Sequence, residues 1–166
     1  MMRVLHAGCG TAPYPDFLPP GDEVRLDIDP ASNPHVVAPI TAMGDIGQFQ
    51  LAYCSHCLEH IPQHEVQTAL GEFRRVLTGG GALVLVVPDL EGIACDDTVI
   101  YESEAGPVTG RDLYYGKADM VEVNPWMGHK TGFVAKTLRA ELEKAGFTVR
   151  NVVRSQTNII ASAFAP

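Results

Sequence analysis

Four groups of residues in this sequence are of types and spacings that do chemistry. Gly8-Cys9-Gly10 follows a short apolar run, Arg3 to Ala7, and Asp27 lies near the end of a second run, Val24 to Ile28. Glycine in such a turn lets backbone approach a ligand closely and accepts positive φ. A carboxylate at the end of the neighbouring strand can accept the hydroxyl hydrogens of a ribose. Together they suit an adenosine-containing cofactor; a tight turn beside a solvated acid is the structural alternative.

The other three groups centre on histidine and cysteine. His56-Cys57-Leu58-Glu59-His60 reads His-x-x-Glu-His, the inverted zinc-hydrolase signature, with Glu59 as general base. That chemistry needs a long helix, so that His56 and His60 stand one turn apart, and a third ligand. Pro62 follows too closely for such a helix and no third ligand is evident, so no metal is expected. Turn residues bonded to nearby backbone are the other reading. Cys54 and Cys57 form a lone Cys-x-x-Cys with no second pair, which fits buried core thiols better than a redox or zinc site. His129, between Gly128 and Lys130, precedes a helical segment. It is a candidate proton acceptor in a cleft, because its pKa lies near working pH, or else a residue that orders its loop.

The elements that would position these groups follow from apolar patterning. Arg3–Ala7, Val24–Ile28, His35–Ala38, Leu51–Cys54 and Ala82–Val87 are short apolar runs of the kind buried in a parallel sheet. Thr148–Val153 and Asn158–Phe164 read as two closing strands joined by a short turn. A helix starts near Pro62 and carries Val66, Ala69, Leu70, Phe73, Val76 and Leu77 on one face. Thr78-Gly79-Gly80-Gly81 is expected to stop it. A second helix carries Val134, Leu138, Leu142 and Ala145 and ends at Gly146. The order predicts one α/β domain over residues 1–166: a doubly wound, Rossmann-like, mostly parallel sheet with an antiparallel edge pair. Residues 89–131 interrupt the pattern and are expected to form an inserted lid that supplies the substrate pocket.

Composition narrows the partners. The chain has 166 residues, the size of one domain, and 46% of them are hydrophobic. With 12 Lys+Arg against 20 Asp+Glu the net charge is −8, which disfavours nucleic acid. No apolar stretch approaches a membrane span, and the N-terminus lacks a signal-peptide pattern. Four scattered cysteines do not make a disulfide framework. The expectation is a soluble, reduced, cytoplasmic protein acting on a small molecule.

Four segments in order sharpen the cofactor. Val4-Leu5-His6-Ala7-Gly8-Cys9-Gly10, Arg25-Leu26-Asp27-Ile28-Asp29-Pro30, Ser55-His56-Cys57-Leu58-Glu59-His60 and Arg75-Val76-Leu77-Thr78-Gly79-Gly80-Gly81 together resemble the small class I S-adenosylmethionine-dependent methyltransferases of the type-11-like group. The resemblance spans about residues 3–90 and resumes at Trp126–Gly132 and Leu142–Phe147. It implies S-adenosylmethionine as cofactor, with Gly8, Cys9 and Gly10 around its methionine part and Asp27 on its ribose. It further implies Ile28, Ala42 and Met43 beside the adenine, and Ser55, His56 and Leu58 lining the methyl-transfer site. His129, with His56 or His60 nearby, is the expected catalytic group.

The chain departs from the family pattern in three places. His6 stands where an acid or amide is frequent, Ala12 where a third glycine is frequent, and Pro39 where an acid near the adenine amine is frequent. Prolines 13, 15, 19 and 20 leave little room for a helix after the glycine turn. The chain also begins at its first strand, without the preceding helix common in the family. The functional expectation is methyl transfer to a small-molecule acceptor. A non-catalytic cofactor-binding protein on the same fold, and a zinc hydrolase, are the alternatives.

Overall fold

Seven strands form one sheet in the computed structural model, which describes residues Met1–Pro166. In chain order they are β1 (Arg3–Ala7), β2 (Asp22–Asp27), β3 (Val36–Val37), β4 (Phe49–Ser55), β5 (Leu77–Pro88), β8 (Thr148–Ser155) and β9 (Asn158–Phe164). Their order across the sheet is β3-β2-β1-β4-β5-β9-β8. β3 to β5 run parallel, while β9 lies antiparallel to β5 and β8 antiparallel to β9. This is the mostly parallel α/β sheet with an antiparallel edge pair that the pattern predicts.

Two helices pack together beside this sheet, α1 (Val66–Val76) on β5 and α4 (Ala135–Lys144) on β8 and β9. The α1 stripe Val66, Ala69, Leu70, Phe73 and Val76 is wholly buried, in one core with Leu5, Leu26, Leu83, Leu85, Leu138 and Leu142. Each buried Leu or Phe side chain contributes about 1.5–3 kcal/mol relative to exposure. A single 3-10 turn, Gln63–Glu65, leads into α1, with Pro62 capping it. So the α-helix proper begins later than Pro62.

The glycine run behaves differently from the expectation. Helix α1 ends at Val76, and Leu77–Gly81 already belong to β5. Gly80 takes φ +74°, its N–H bonds the carbonyl of Ala165, and Gly81 accepts from the N–H of Ala165. The glycines thus carry an irregular strand start against the end of the chain, rather than the helix stop expected of them.

The prolines after β1 do preclude a helix there. Residues 8–21 cross to β2 as turns, and Tyr14 and Phe17 lean edge-on against His6 and Tyr53 respectively. Between β5 and α4 the chain forms a hairpin, β6 (Val99–Ser103) with β7 (Gly106–Thr109), then two short helices, α2 (Gly110–Tyr115) and α3 (Ala118–Val123). Thr109 and Asp112 cap α2 reciprocally. This segment leaves and rejoins the body side by side, through a bridge between Asp89 and Phe133. Asp89 is 2% exposed and accepts from the guanidinium of Arg154. No helix is long and apolar enough to cross a membrane.

Candidate active site

A cavity of about 670 Å³ opens at the carboxyl ends of β1, β2 and β4, the edge where doubly wound sheets bind ligands. Its floor is the Gly8-Cys9-Gly10 turn. The N–H groups of Gly8 and Cys9 donate to the carbonyl of Leu26 at 2.8 and 3.2 Å, which ties the turn to β2. Gly8 and Gly10 sit at φ +62° and +47°, a region that side chains rarely occupy. A Cβ on Gly8 would come within 2.4 Å of the Cys57 Sγ, whereas one on Gly10 would meet no atom within 4 Å. Gly8 is therefore a packing glycine, and Gly10 keeps open space beside the cavity that it lines.

Asp27, 9% exposed, organises this floor. Its Oδ2 accepts the Gly10 N–H at 2.7 Å and its Oδ1 the Asp29 N–H at 2.9 Å. Each carboxylate oxygen can accept a further hydrogen bond. Strand alternation places Glu23, Arg25 and Asp27 on one face. Arg25 reaches the carbonyls of Gly10 and Ala12, both at 2.9 Å, and pairs with Glu23 at 3.2 Å. His6, 3% exposed, donates from Nδ1 to Glu23 at 2.8 Å. Burial holds its pKa below the ordinary value, against the pull of Glu23. Burial also raises the Cys9 thiol, opposed by Arg25, so it stays protonated at neutral pH.

Of the residues expected in the site, Gly8, Cys9, Gly10, Asp27, Ile28, His56 and His60 line the cavity. Ala42, Met43, Ser55, Leu58 and His129 do not. The segment after β3 contributes Ala38–Thr41 instead of Ala42 and Met43. A turn from Pro39 to Ala42 sends Met43 into the core, where its N–H donates to Glu72 at 2.8 Å. Leu58 is wholly buried. Ser55 ends β4 in register with Val86.

The His-x-x-Glu-His segment is not a long helix. His56 adopts φ +48°, and only Leu58–His60 make a 3-10 turn, so the two histidines do not share a helix face as the zinc-hydrolase signature requires. His56 is 46% exposed, with Nδ1 3.3 Å from the Glu59 carboxylate. Glu59 is 1% exposed, and neither of its oxygens has a hydrogen-bond partner. His60 donates from Nδ1 to the Gly128 carbonyl at 3.2 Å. Burial lowers the His60 pKa; Glu59 opposes this and His129 adds to it. His129 packs edge-on against His60, with ring centroids 4.9 Å apart, and donates from Nδ1 to the Leu113 carbonyl at 2.9 Å. That bond holds its ring behind His60 rather than in the cavity wall.

The 89–131 segment supplies the remaining wall through Met120, Asn124, Trp126, Met127 and Lys130. Asn124 donates to Asp29 at 3.1 Å, and the N–H groups of Lys130 and Thr131 donate to the Glu59 carbonyl at 2.8 and 3.1 Å. The segment is thus fastened on both sides of the cavity. Sequence reading misses Arg25, Asp29, Asn124 and Lys130 as site residues. The i, i+2 spacing of Arg25, Asp27 and Asp29 is the local signal that marks two of them.

A family model described as a methyltransferase domain matches residues 1–152. The chain belongs to this methyltransferase family. Its fold is that of the class I S-adenosylmethionine-dependent enzymes, whose cosubstrate is S-adenosylmethionine. A methyltransferase of that dependence from Clostridium acetobutylicum superposes with TM-score 0.66 at 9% identity, over 98% of this chain and 83% of that one. The N-methyltransferase NodS from Bradyrhizobium japonicum, in complex with S-adenosylhomocysteine, gives 0.60 at 14% identity, over 99% and 78%. The 1,6-didemethyltoxoflavin-N1-methyltransferase of Burkholderia thailandensis, with that substrate and S-adenosylhomocysteine bound, gives 0.62 at 16%, over 99% and 71%. No curated protein matches this methyltransferase in sequence.

Proposed function

We propose that this methyltransferase moves the S-methyl group of S-adenosylmethionine to a nitrogen or oxygen nucleophile of a small molecule. The observation that carries the reading is the Asp27–Gly10 pair. A nearly buried carboxylate locks the glycine turn at 2.7 Å, yet each of its oxygens can still accept a hydroxyl hydrogen. A ribose at Asp27 would leave Ile28, Pro39 and Ile40 for the adenine and the Gly8–Gly10 turn for the methionine part. The cavity volume, about 670 Å³, is in the range of small-molecule sites.

The bound cosubstrate supplies an activated sulfonium methyl; the chain must align an acceptor with it and exclude water. In this reading residues 89–131 are the lid, fastened by Asn124 to Asp29 and by Lys130 and Thr131 to Glu59. The acceptor lies between Trp126 and Met127 above and His56 and His60 below. His56 takes the acceptor proton on Nε2, with Glu59 holding its Nδ1 side. That carboxylate lies 3.3 Å from Nδ1 and its charge favours the imidazolium that forms. His60 borders the acceptor, and His129 supports His60 from behind. We infer a reduced, cytoplasmic setting from four scattered cysteines that make no disulfide framework.

Calorimetric titration with S-adenosylhomocysteine and a methyl-release assay over a panel of small amines and hydroxyl compounds test the reading. One saturable site and turnover with at least one acceptor are expected. Binding without turnover on any acceptor would favour a non-catalytic cosubstrate-binding protein. No binding would overturn the reading.

A further inference from the structure

Glu59, His60 and His129 meet although the last two lie 69 positions apart. One potential ligand atom from each lies within 4.8 Å of those of the other two. The set has an unusual inventory of donors. Both histidines spend their Nδ1 hydrogen on a backbone carbonyl, Gly128 for His60 and Leu113 for His129, so in each neutral ring Nε2 holds the lone pair. Glu59 adds a carboxylate that is 1% exposed and has no hydrogen bond. Its ion-pair partner is His56, at 3.3 Å from one oxygen; no lysine or arginine pairs with it. A carboxylate so buried is costly unless a cation or a donor faces it.

We propose that Glu59, His60 and His129 bind a divalent first-row transition-metal ion. Two imidazoles and one carboxylate suit zinc and its neighbours, and leave positions open for water or another ligand. The Nδ1–H to carbonyl bonds are the outer contacts that orient metal-bound histidines. An ion held at about 2.1 Å needs ligand atoms about 3.4 Å apart, so small side-chain rotations close a set whose atoms lie within 4.8 Å of one another. Because His60 also lines the cavity, the ion would sit in its wall, stapling the far end of the 89–131 segment to the turn after β4. This site differs from the hydrolase signature, which pairs His56 with His60. Here His129 is the third ligand, invisible at sequence level.

The test uses the untagged full chain, loaded with zinc, passed through gel filtration and analysed for metal. About one ion retained per chain is expected, with affinity lowered about 10- to 100-fold or more in His129→Ala and in Glu59→Gln. Cobalt loading of the unaltered protein gives a second readout that needs no variant. Weak visible bands without a thiolate charge-transfer band are expected of nitrogen and oxygen ligands. No retained ion, retention undiminished in folded His129→Ala, or a strong thiolate band pointing to the cysteines would each overturn the site. S-adenosylhomocysteine binding, measured on metal-free protein, scores the methyl-transfer reading separately.

Discussion

Asp27 and Gly10 are joined by a 2.7 Å hydrogen bond from the glycine N–H to Oδ2, so one carboxylate both shapes the glycine turn and faces the cavity the turn opens. Replacing Asp27 by Ala should weaken S-adenosylhomocysteine binding by about 1.5–3 kcal/mol, the scale of hydrogen bonds to a charged group, and Asp27→Asn by less. Calorimetry checks it, and unchanged affinity would remove Asp27 from the site.

The two glycines of the turn should separate stability from binding. Gly8→Ala drives a Cβ into Cys57 and is expected to lower the melting temperature, with at least about 1–2 kcal/mol from the left-handed backbone alone. Gly10→Val places its side chain toward open space at the cavity. Its β-branched side chain raises the backbone cost above that of alanine, and it is expected to reduce cosubstrate affinity more than Gly8→Ala does. Thermal melts paired with calorimetry on both variants distinguish the roles; equal effects of the two on affinity would contradict the assignment.

His56→Ala should cut turnover by about 10²- to 10⁴-fold, the range for a lost general base, while leaving cosubstrate affinity nearly unchanged. Single-turnover rates beside calorimetry measure both. A variant with full turnover would show that the acceptor needs no base here, or that another group supplies it.

Stability should depend on pH through His6. Burial lowers its folded-state pKa below the ordinary 6.5, outweighing the opposing pull of Glu23 and Asp27, and Arg25 lowers it further. The unfolded chain therefore takes up this proton at higher pH than the folded one. The contribution is fully present above about pH 6.5. It is lost as pH falls from there through the folded value, at up to about 1.4 kcal/mol per pH unit. Denaturant melts of the unaltered chain and of His6→Asn between pH 7.5 and 5.5 check it. The variant's profile should be flatter, and parallel profiles would contradict the account.

What the sequence discloses here is local. The buried parallel strands follow from continuous apolar runs, and β9 has the bounds its pattern suggests. The glycine run 78–81 misleads because glycine serves a helix stop and an irregular strand equally well, and only pairing with Ala165 decides between them. The same limit governs the site. Gly8, Gly10 and Asp27 lie at strand ends that their own neighbours mark. The Asn124–Asp29 bond spans 95 residues, and the approach of His129 to Glu59 and His60 depends on a fold-back that no short-range pattern encodes. Ala42 and Met43 fall just outside the cavity because one turn at Pro39 rotates the chain away.

The central claim is that the cavity over the Gly8–Gly10 turn holds S-adenosylmethionine for methyl transfer. A crystal structure of the chain soaked or grown with S-adenosylhomocysteine tests it most directly. The account predicts the ribose hydroxyls on Asp27, the adenine against Ile28 and Pro39, and the sulfur directed toward His56 and His60. A ligand seated elsewhere, or an Asp27 that contacts no part of it, would contradict it.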